Sequence, residues 1–108
     1  MDLPPPQIVC VAQVIQAEAR GESREGQRAV GHVILNRSKK FHKTPCQISR
    51  EPGQFKIHHR VSAKIKEVAS NLGMDNTGGA LYFKIRKCRV SWPKMKITTT
   101  IGNHNFYK

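Results

Sequence analysis

One hundred and eight residues, 38% of them hydrophobic, are enough for one modest core, so the chain reads as a single domain over 1–108 without repeats or low-complexity tracts. No stretch approaches a membrane span, and the N-terminus lacks the basic-then-apolar pattern of a secretory signal. Nineteen Lys and Arg against seven Asp and Glu leave a formal charge of +12, concentrated in 37–43, 56–66 and 84–96, which implies an anionic partner: nucleic acid, a wall polymer or an anionic membrane surface.

Pro4 to Pro6 suit a helix entry, since the first turn needs no N–H, and a helix is expected over 7–19. Val11, Val14 and Glu18 fall at i, i+3 and i+7, so Glu18 continues a buried stripe. Desolvation there would raise its pKa and favour the protonated acid that general-acid catalysis needs. The alternative is a solvated residue at a helix boundary. Gly21 is expected to break the helix, so Glu22 and Glu25 read as charges favourable to the N-terminus of the next one.

Ser23 is the expected cap of a second helix ending at 38, with Ala29, Val30, Val33 and Ile34 facing the core. Residues 39–56 read as a long loop in which Pro45 opens a short helical turn ending near Arg50, and Pro52-Gly53 turns the chain again. A third helix is expected over 59–72, with Val61, Ile65, Val68, Ala69 and Leu72 on one face and Gly73 as a left-handed cap. Strands are expected at 80–83, 96–101 and 105–107, the last two turning at Gly102-Asn103. The fold class is therefore α+β: a helical core with a small C-terminal β-hairpin element. Cys10, Cys46 and Cys88 cannot all pair within one chain; without a C-x-x-C motif they favour free thiols in a reducing compartment, with one disulfide left open, and Cys10 beside Ile8 and Val11 reads as core filler.

In order along the chain stand Ala17-Glu18-Ala19-Arg20-Gly21-Glu22, Gly26-Gln27 with Ala29-Val30-Gly31, Asn36-Arg37, Pro52-Gly53-Gln54-Phe55, Thr77-Gly78-Gly79-Ala80-Leu81-Tyr82-Phe83, and Ile101-Gly102-Asn103-His104 with Phe106-Tyr107. Together these blocks resemble the spore-cortex-lytic and cell wall hydrolase family of the SleB/CwlJ type, from about residue 11 to 107. The resemblance implies a compact lysozyme-like domain that cuts the β-1,4 bond between N-acetylmuramic acid and N-acetylglucosamine in peptidoglycan. It also implies a lytic transglycosylase with Glu18 as catalytic acid. That chemistry needs one carboxylate rather than the usual two, because the sugar's own 6-hydroxyl is the nucleophile.

The remaining blocks are expected to line the sugar groove. Gln54 offers an amide to an N-acetyl group, Phe55, Tyr82 and Phe83 offer flat faces, and Asn103, His104 and Tyr107 position substrate or bond near Glu18. Core packing is the alternative for each aromatic, and only one of Tyr82 and Phe83 can face a given side of a strand. Lys56 and Asn76 depart from the family's pattern, where a small residue and a proline are common. No cofactor and no metal are expected, and the chain is read as a monomer.

The small size, basicity and absent leader point to a bacteriophage endolysin, made in the host cytoplasm, released with a holin and acting on the wall or periplasm. A spore-cortex or wall-remodelling enzyme is the alternative setting. Two other classes compete. A non-enzymatic nucleic-acid-binding module rests on charge alone, without a recognised zinc-finger or RNA-binding signature. A zinc amidase would have to draw ligands from His42, Cys46, His58, His59 and His104.

Overall fold

The structure, a computed structural model, describes residues 3–88 and 92–108. Four helices, α1 (Pro5–Ala19), α2 (Arg24–Phe41), α3 (Pro45–Ser49) and α4 (Ala63–Ser70), precede three strands, β1 (Tyr82–Ile85), β2 (Ile97–Ile101) and β3 (His104–Tyr107). The fold is the expected α+β arrangement of a helical core and a C-terminal β element. The sheet is antiparallel in the order β1-β3-β2, so the expected hairpin of β2 and β3 gains β1 on its far side.

Several elements differ from expectation at their ends: α1 starts at Pro5 rather than 7, β1 stands at Tyr82–Ile85 rather than 80–83, and α2 and α4 are shifted as well. Helix α2 starts after the Ser23 cap but runs on through 39–41, because Lys39 and Lys40 sit in its last turn, where cations suit the helix dipole. Helix α4 begins only at Ala63, capped by the Ser62 hydroxyl, which accepts from Ile65 N. The preceding segment is spent on α1 instead: His58 N donates to Gln13 O at 3.1 Å, and Ser62 N donates to Gln16 Oε1 at 3.1 Å.

The core is where α1, α2, α3 and α4 meet one face of the sheet. Val11, Val14, Ile15, Val30, Val33, Ile34, Ile48 and Phe106 have no solvent exposure. Phe106 lies on the central strand and is the sheet's contribution to that helical core. Gly31 lets α2 approach the 70–73 turn, since a Cβ there would overlap the Leu72 side chain. Removing such a buried apolar side chain costs about 2–5 kcal/mol.

The cysteine expectation is corrected. Cys10 and Cys46 form a disulfide between α1 and α3, leaving Cys88 as the free, exposed thiol. Cys10 is buried, as a core filler would be, but the short helix opened by Pro45 lies across α1 and brings Cys46 to it. A contact between residues 36 apart in sequence leaves no local pattern to read. The bridge also takes Cys46 out of any zinc-ligand set. Among the described residues, no three His, Cys, Asp or Glu side chains gather as metal ligands would.

Candidate active site

Glu18 sits in the last turn of α1, where its stripe leaves the core: Val11 and Val14 are fully buried and Glu18 half-buried. Burial pushes its carboxyl pKa upward; the Lys56 backbone N–H and the Lys56 ammonium pull it down, and burial prevails. The helix end beside it is tied down by Gln27. That buried amide donates to Ala19 O at 3.3 Å, Arg20 O at 3.4 Å and Glu22 O at 3.2 Å, satisfying carbonyls that a helix terminus would leave open.

Two clefts meet at Glu18. One, of about 310 Å³, is walled by Arg37, Gln54, Phe55, Tyr82, Phe83 and Trp92. The other, of about 330 Å³, is bordered by Glu22, Ile85, Arg86, Lys87, Asn103 and His104. A larger groove of about 950 Å³ runs between α1, α4 and residues 58–62, and its lining, unlike that of the two smaller clefts, holds no carboxylate.

Arg37 organises the first cleft. Its Nε donates to Leu81 O at 2.6 Å and its Nη1 to Gln54 Oε1 at 3.1 Å. The guanidinium lies between two rings, 4.8 Å from the Phe55 centroid and 4.6 Å from that of Tyr82. Two of its donors and both of its faces thus serve to build the wall. Beyond Tyr82 stands Trp92, whose ring centroid is 6.0 Å away. Above them, Asn36 donates to Ala80 O at 2.9 Å and Asp75 accepts from Thr77 N and Gly79 N, holding the turn that delivers β1.

The second cleft is organised by Glu22, and the reading of Glu22 as a simple helix-dipole charge is corrected. It accepts from Asn103 N at 2.9 Å and from Asn103 Nδ2 at 3.0 Å, a link between residues 81 apart. His104 Nδ1 lies 3.7 Å from the same carboxylate, and both side chains are almost fully buried. Gly102, at φ +57°, brings the turn so close that a Cβ would overlap Glu22 Oε1. The Asn103 backbone N–H lowers the Glu22 pKa most; burial opposes it, and the Asn103 side chain and His104 reinforce it. Burial lowers the His104 pKa, with Glu22 opposing. Glu22 is therefore held ionised beside a largely neutral imidazole at neutral pH.

The residues singled out from the sequence divide accordingly. Glu18, Gln54, Phe55 and Tyr82 come together in the first cleft, and Asn103 and His104 border the second. Tyr107 borders neither: it is buried on β3, with the Trp92 ring edge-on at 4.9 Å. Tyr82 and Phe83 do point to opposite faces of the sheet, in register with Tyr107 and Phe106, although both border the first cleft. Trp92, Arg86 and Lys87 had no individual role in the sequence reading, and Arg37 entered it only within the Asn36-Arg37 block and the basic stretch 37–43. The available signals were Arg37 at the end of an otherwise apolar helix face and Trp92 as the chain's one tryptophan.

Comparison with known proteins agrees with this architecture. A family model described as Cell Wall Hydrolase matches residues 21–107. Spore cortex-lytic enzymes of Bacillus cereus and Oceanobacillus iheyensis are each 34% identical over 94% of this chain, which spans 44% and 41% of their respective lengths. The crystal structure of the catalytic domain of the Bacillus cereus SleB protein is similar with a TM-score of 0.85 and 31% identity, over 97% of this chain and 91% of that one. The catalytic domain of the germination-specific lytic transglycosylase SleB from Bacillus anthracis is similar with a TM-score of 0.86 and 30% identity, over 98% of this chain and 97% of that one. The chain belongs to the cell wall hydrolase family.

Proposed function

We propose that this chain degrades peptidoglycan as a monomeric, cofactor-independent lytic transglycosylase, cutting the β-1,4 bond between N-acetylmuramic acid and N-acetylglucosamine with Glu18 as its acid and base. The observation that carries the reading is the unequal state of the two carboxylates bordering the clefts. Glu18 is half-buried with a raised pKa at their junction, whereas Glu22 is committed to Asn103 and His104. One titrating acid suits a reaction whose nucleophile is intramolecular. Protonated Glu18 gives its proton to the glycosidic oxygen as the bond to the muramyl anomeric carbon breaks. The resulting carboxylate takes the proton of the 6-hydroxyl as that oxygen closes a 1,6-anhydro ring. Gln54 and the ring faces of Phe55 and Tyr82 hold the sugar on one side, while Asn103 and His104 shape the other. The names of the relatives, spore cortex-lytic enzyme and lytic transglycosylase, support the same chemistry.

Mass spectrometry of peptidoglycan digested by the protein and by Glu18→Gln tests the proposal. Muropeptides ending in 1,6-anhydromuramic acid, absent with the variant, are expected. Reducing ends would overturn the lyase outcome, and intact glycan would overturn glycan cleavage altogether. Two settings extend the proposal. A phage lysin, released with a holin, would collapse the turbidity of permeabilised Gram-negative cells. A spore-cortex or wall-remodelling enzyme, the setting that the spore cortex-lytic relatives favour, would act on isolated cortex and leave those cells intact.

A further inference from the structure

The clefts on either side of Glu18 are chemically unlike. In the first, Arg37 is buried between Phe55 and Tyr82 and donates to Leu81 O and Gln54 Oε1, and the Lys84 ammonium lies over the Trp92 ring, 4.5 Å from its centroid. The walls of this arm are mostly aromatic rings with one side-chain amide, and the cations that border it are stacked on those rings. In the second, Arg86 and Lys87 are exposed. Arg86 is braced against the turn, its backbone N donating to Asn103 O at 2.8 Å and its Nη1 to Gly102 O at 3.4 Å. Among the described residues, neither Arg86 nor Lys87 has a carboxylate within ion-pair distance. Glu18 and Glu22 border the same arm, and each oxygen of the Glu22 carboxylate accepts a hydrogen bond from Asn103. The surrounding sequence adds to the imbalance, since no Asp or Glu occurs after Asp75.

Resting on the reading of this site as a glycan-cleaving groove, we propose that the arm containing Arg86 and Lys87 binds the carboxylates of an acidic peptide carried on the sugar, while the aromatic arm takes the unsubstituted ring. In peptidoglycan only the muramyl ring, through its lactyl group, carries a peptide. Anchoring that peptide on one side of Glu18 sets the register of the strand, so that one of the two alternating glycosidic bonds is presented to the acid. The exposed cations then act in substrate choice and positioning, and the aromatic faces supply stacking surface for the ring.

The test compares soluble tetrasaccharide fragments of peptidoglycan that retain their acidic peptides with the same fragments after the peptides are removed. Two exposed charge contacts predict that the native protein cleaves the peptide-bearing fragment about threefold to tenfold faster at subsaturating concentration and low salt. The preference should shrink as salt is raised. In Arg86→Gln/Lys87→Gln the ratio of the two rates should fall to about one, with unfolding temperature checked alongside. Equal rates for the native protein on both fragments, or a double variant that loses both rates in the same proportion, would overturn the proposal. Absence of glycan products from both fragments would overturn the glycan-cleaving reading, and the proposal with it.

Discussion

Reducing the Cys10–Cys46 bridge is expected to cost the fold a large share of its stability. The bridge joins residues 36 apart, and the chain-entropy relation for a loop of that length gives about 3.8 kcal/mol at 25 °C. A domain of this size has a total stability on the order of 5–15 kcal/mol, so the loss is not marginal. With about 4–8 °C per kcal/mol for a domain near 100 residues, the unfolding temperature should fall by roughly 15 °C or more.

The loss should also be felt at the site before global unfolding. Helix α3 leads directly into the segment that presents Gln54, Phe55 and the Lys56 N–H to the first cleft, and the bridge fastens α3 to α1, which carries Glu18. Activity should therefore decline at temperatures where the reduced protein is still helical. Circular dichroism melts with and without dithiothreitol, beside an activity–temperature curve and a count of alkylatable thiols, supply the assay. One reactive thiol before reduction and three after it are expected. Three thiols in the untreated protein, or a melting curve that dithiothreitol does not move, would refute the argument.

Glu18→Gln should lower kcat by about 10²- to 10⁴-fold, the usual worth of a positioned acid, while circular dichroism melts change by only a few degrees. A large fall in melting temperature would make Glu18 structural. Because burial raises the folded pKa of Glu18, its protonated form persists to higher pH than an ordinary glutamate's, and the rate should fall as pH rises through that raised value; a profile whose basic limb sits at the pKa of a solvated glutamate would contradict this. Glu22 has the opposite sign: its lowered folded pKa gives stability that is present above the unfolded value and lost as pH falls through the folded one. Denaturant titrations should therefore show this stability at pH 7 and lose it in acid, and Glu22→Gln should flatten that dependence. Arg37→Lys should cost about 2 kcal/mol in urea unfolding, because an ammonium cannot reach both Leu81 O and Gln54 Oε1 while stacking between Phe55 and Tyr82; an unchanged midpoint would show that the fork is dispensable.

Local chemistry was legible in the sequence wherever one segment decides its own conformation. The Ser23 cap, the Pro45 turn and the Val11-Val14-Glu18 stripe each depend on neighbours a few residues away, and each stands where the spacing puts it. Contacts across the chain were not legible. Nothing near Glu22 signals that Asn103 will meet it, and nothing near Cys10 signals Cys46. The early start read for α4 failed for the same reason. Residues 59–62 carry a helix-compatible pattern, but the Ser62 hydroxyl caps the helix by accepting from Ile65 N, and the chain before it is anchored to α1 through His58 N on Gln13 O and Ser62 N on Gln16 Oε1. Tyr107 shows a second limit: an aromatic on a strand reads equally as a groove wall or as packing, and only the register opposite Tyr82, with Trp92 over it, places it in the packing.

The run from Glu18 to Glu22 contains two glutamates four residues apart, and the fold gives them opposite tasks. Helix α1 ends at Ala19 with Arg20 as its cap, so Glu18 remains on its last turn while Glu22 reaches the Gly102-Asn103 turn. Environments that push two carboxyl pKa values apart are how one site keeps an acid beside a fixed charge. Glu18 is moved up by burial, with no side-chain donor among its resolved influences, whereas Glu22 is moved down by Asn103 and becomes the bond that ties the β2–β3 turn to the end of α1. That bond places His104, Arg86 and Lys87 along one side of Glu18, while Gln27 holds the intervening carbonyls and prevents the turn from drifting. The ionised carboxylate thus builds the groove around the protonatable one. Replacing Glu22 should therefore reduce activity through the geometry of the second cleft even though Glu18 itself is untouched.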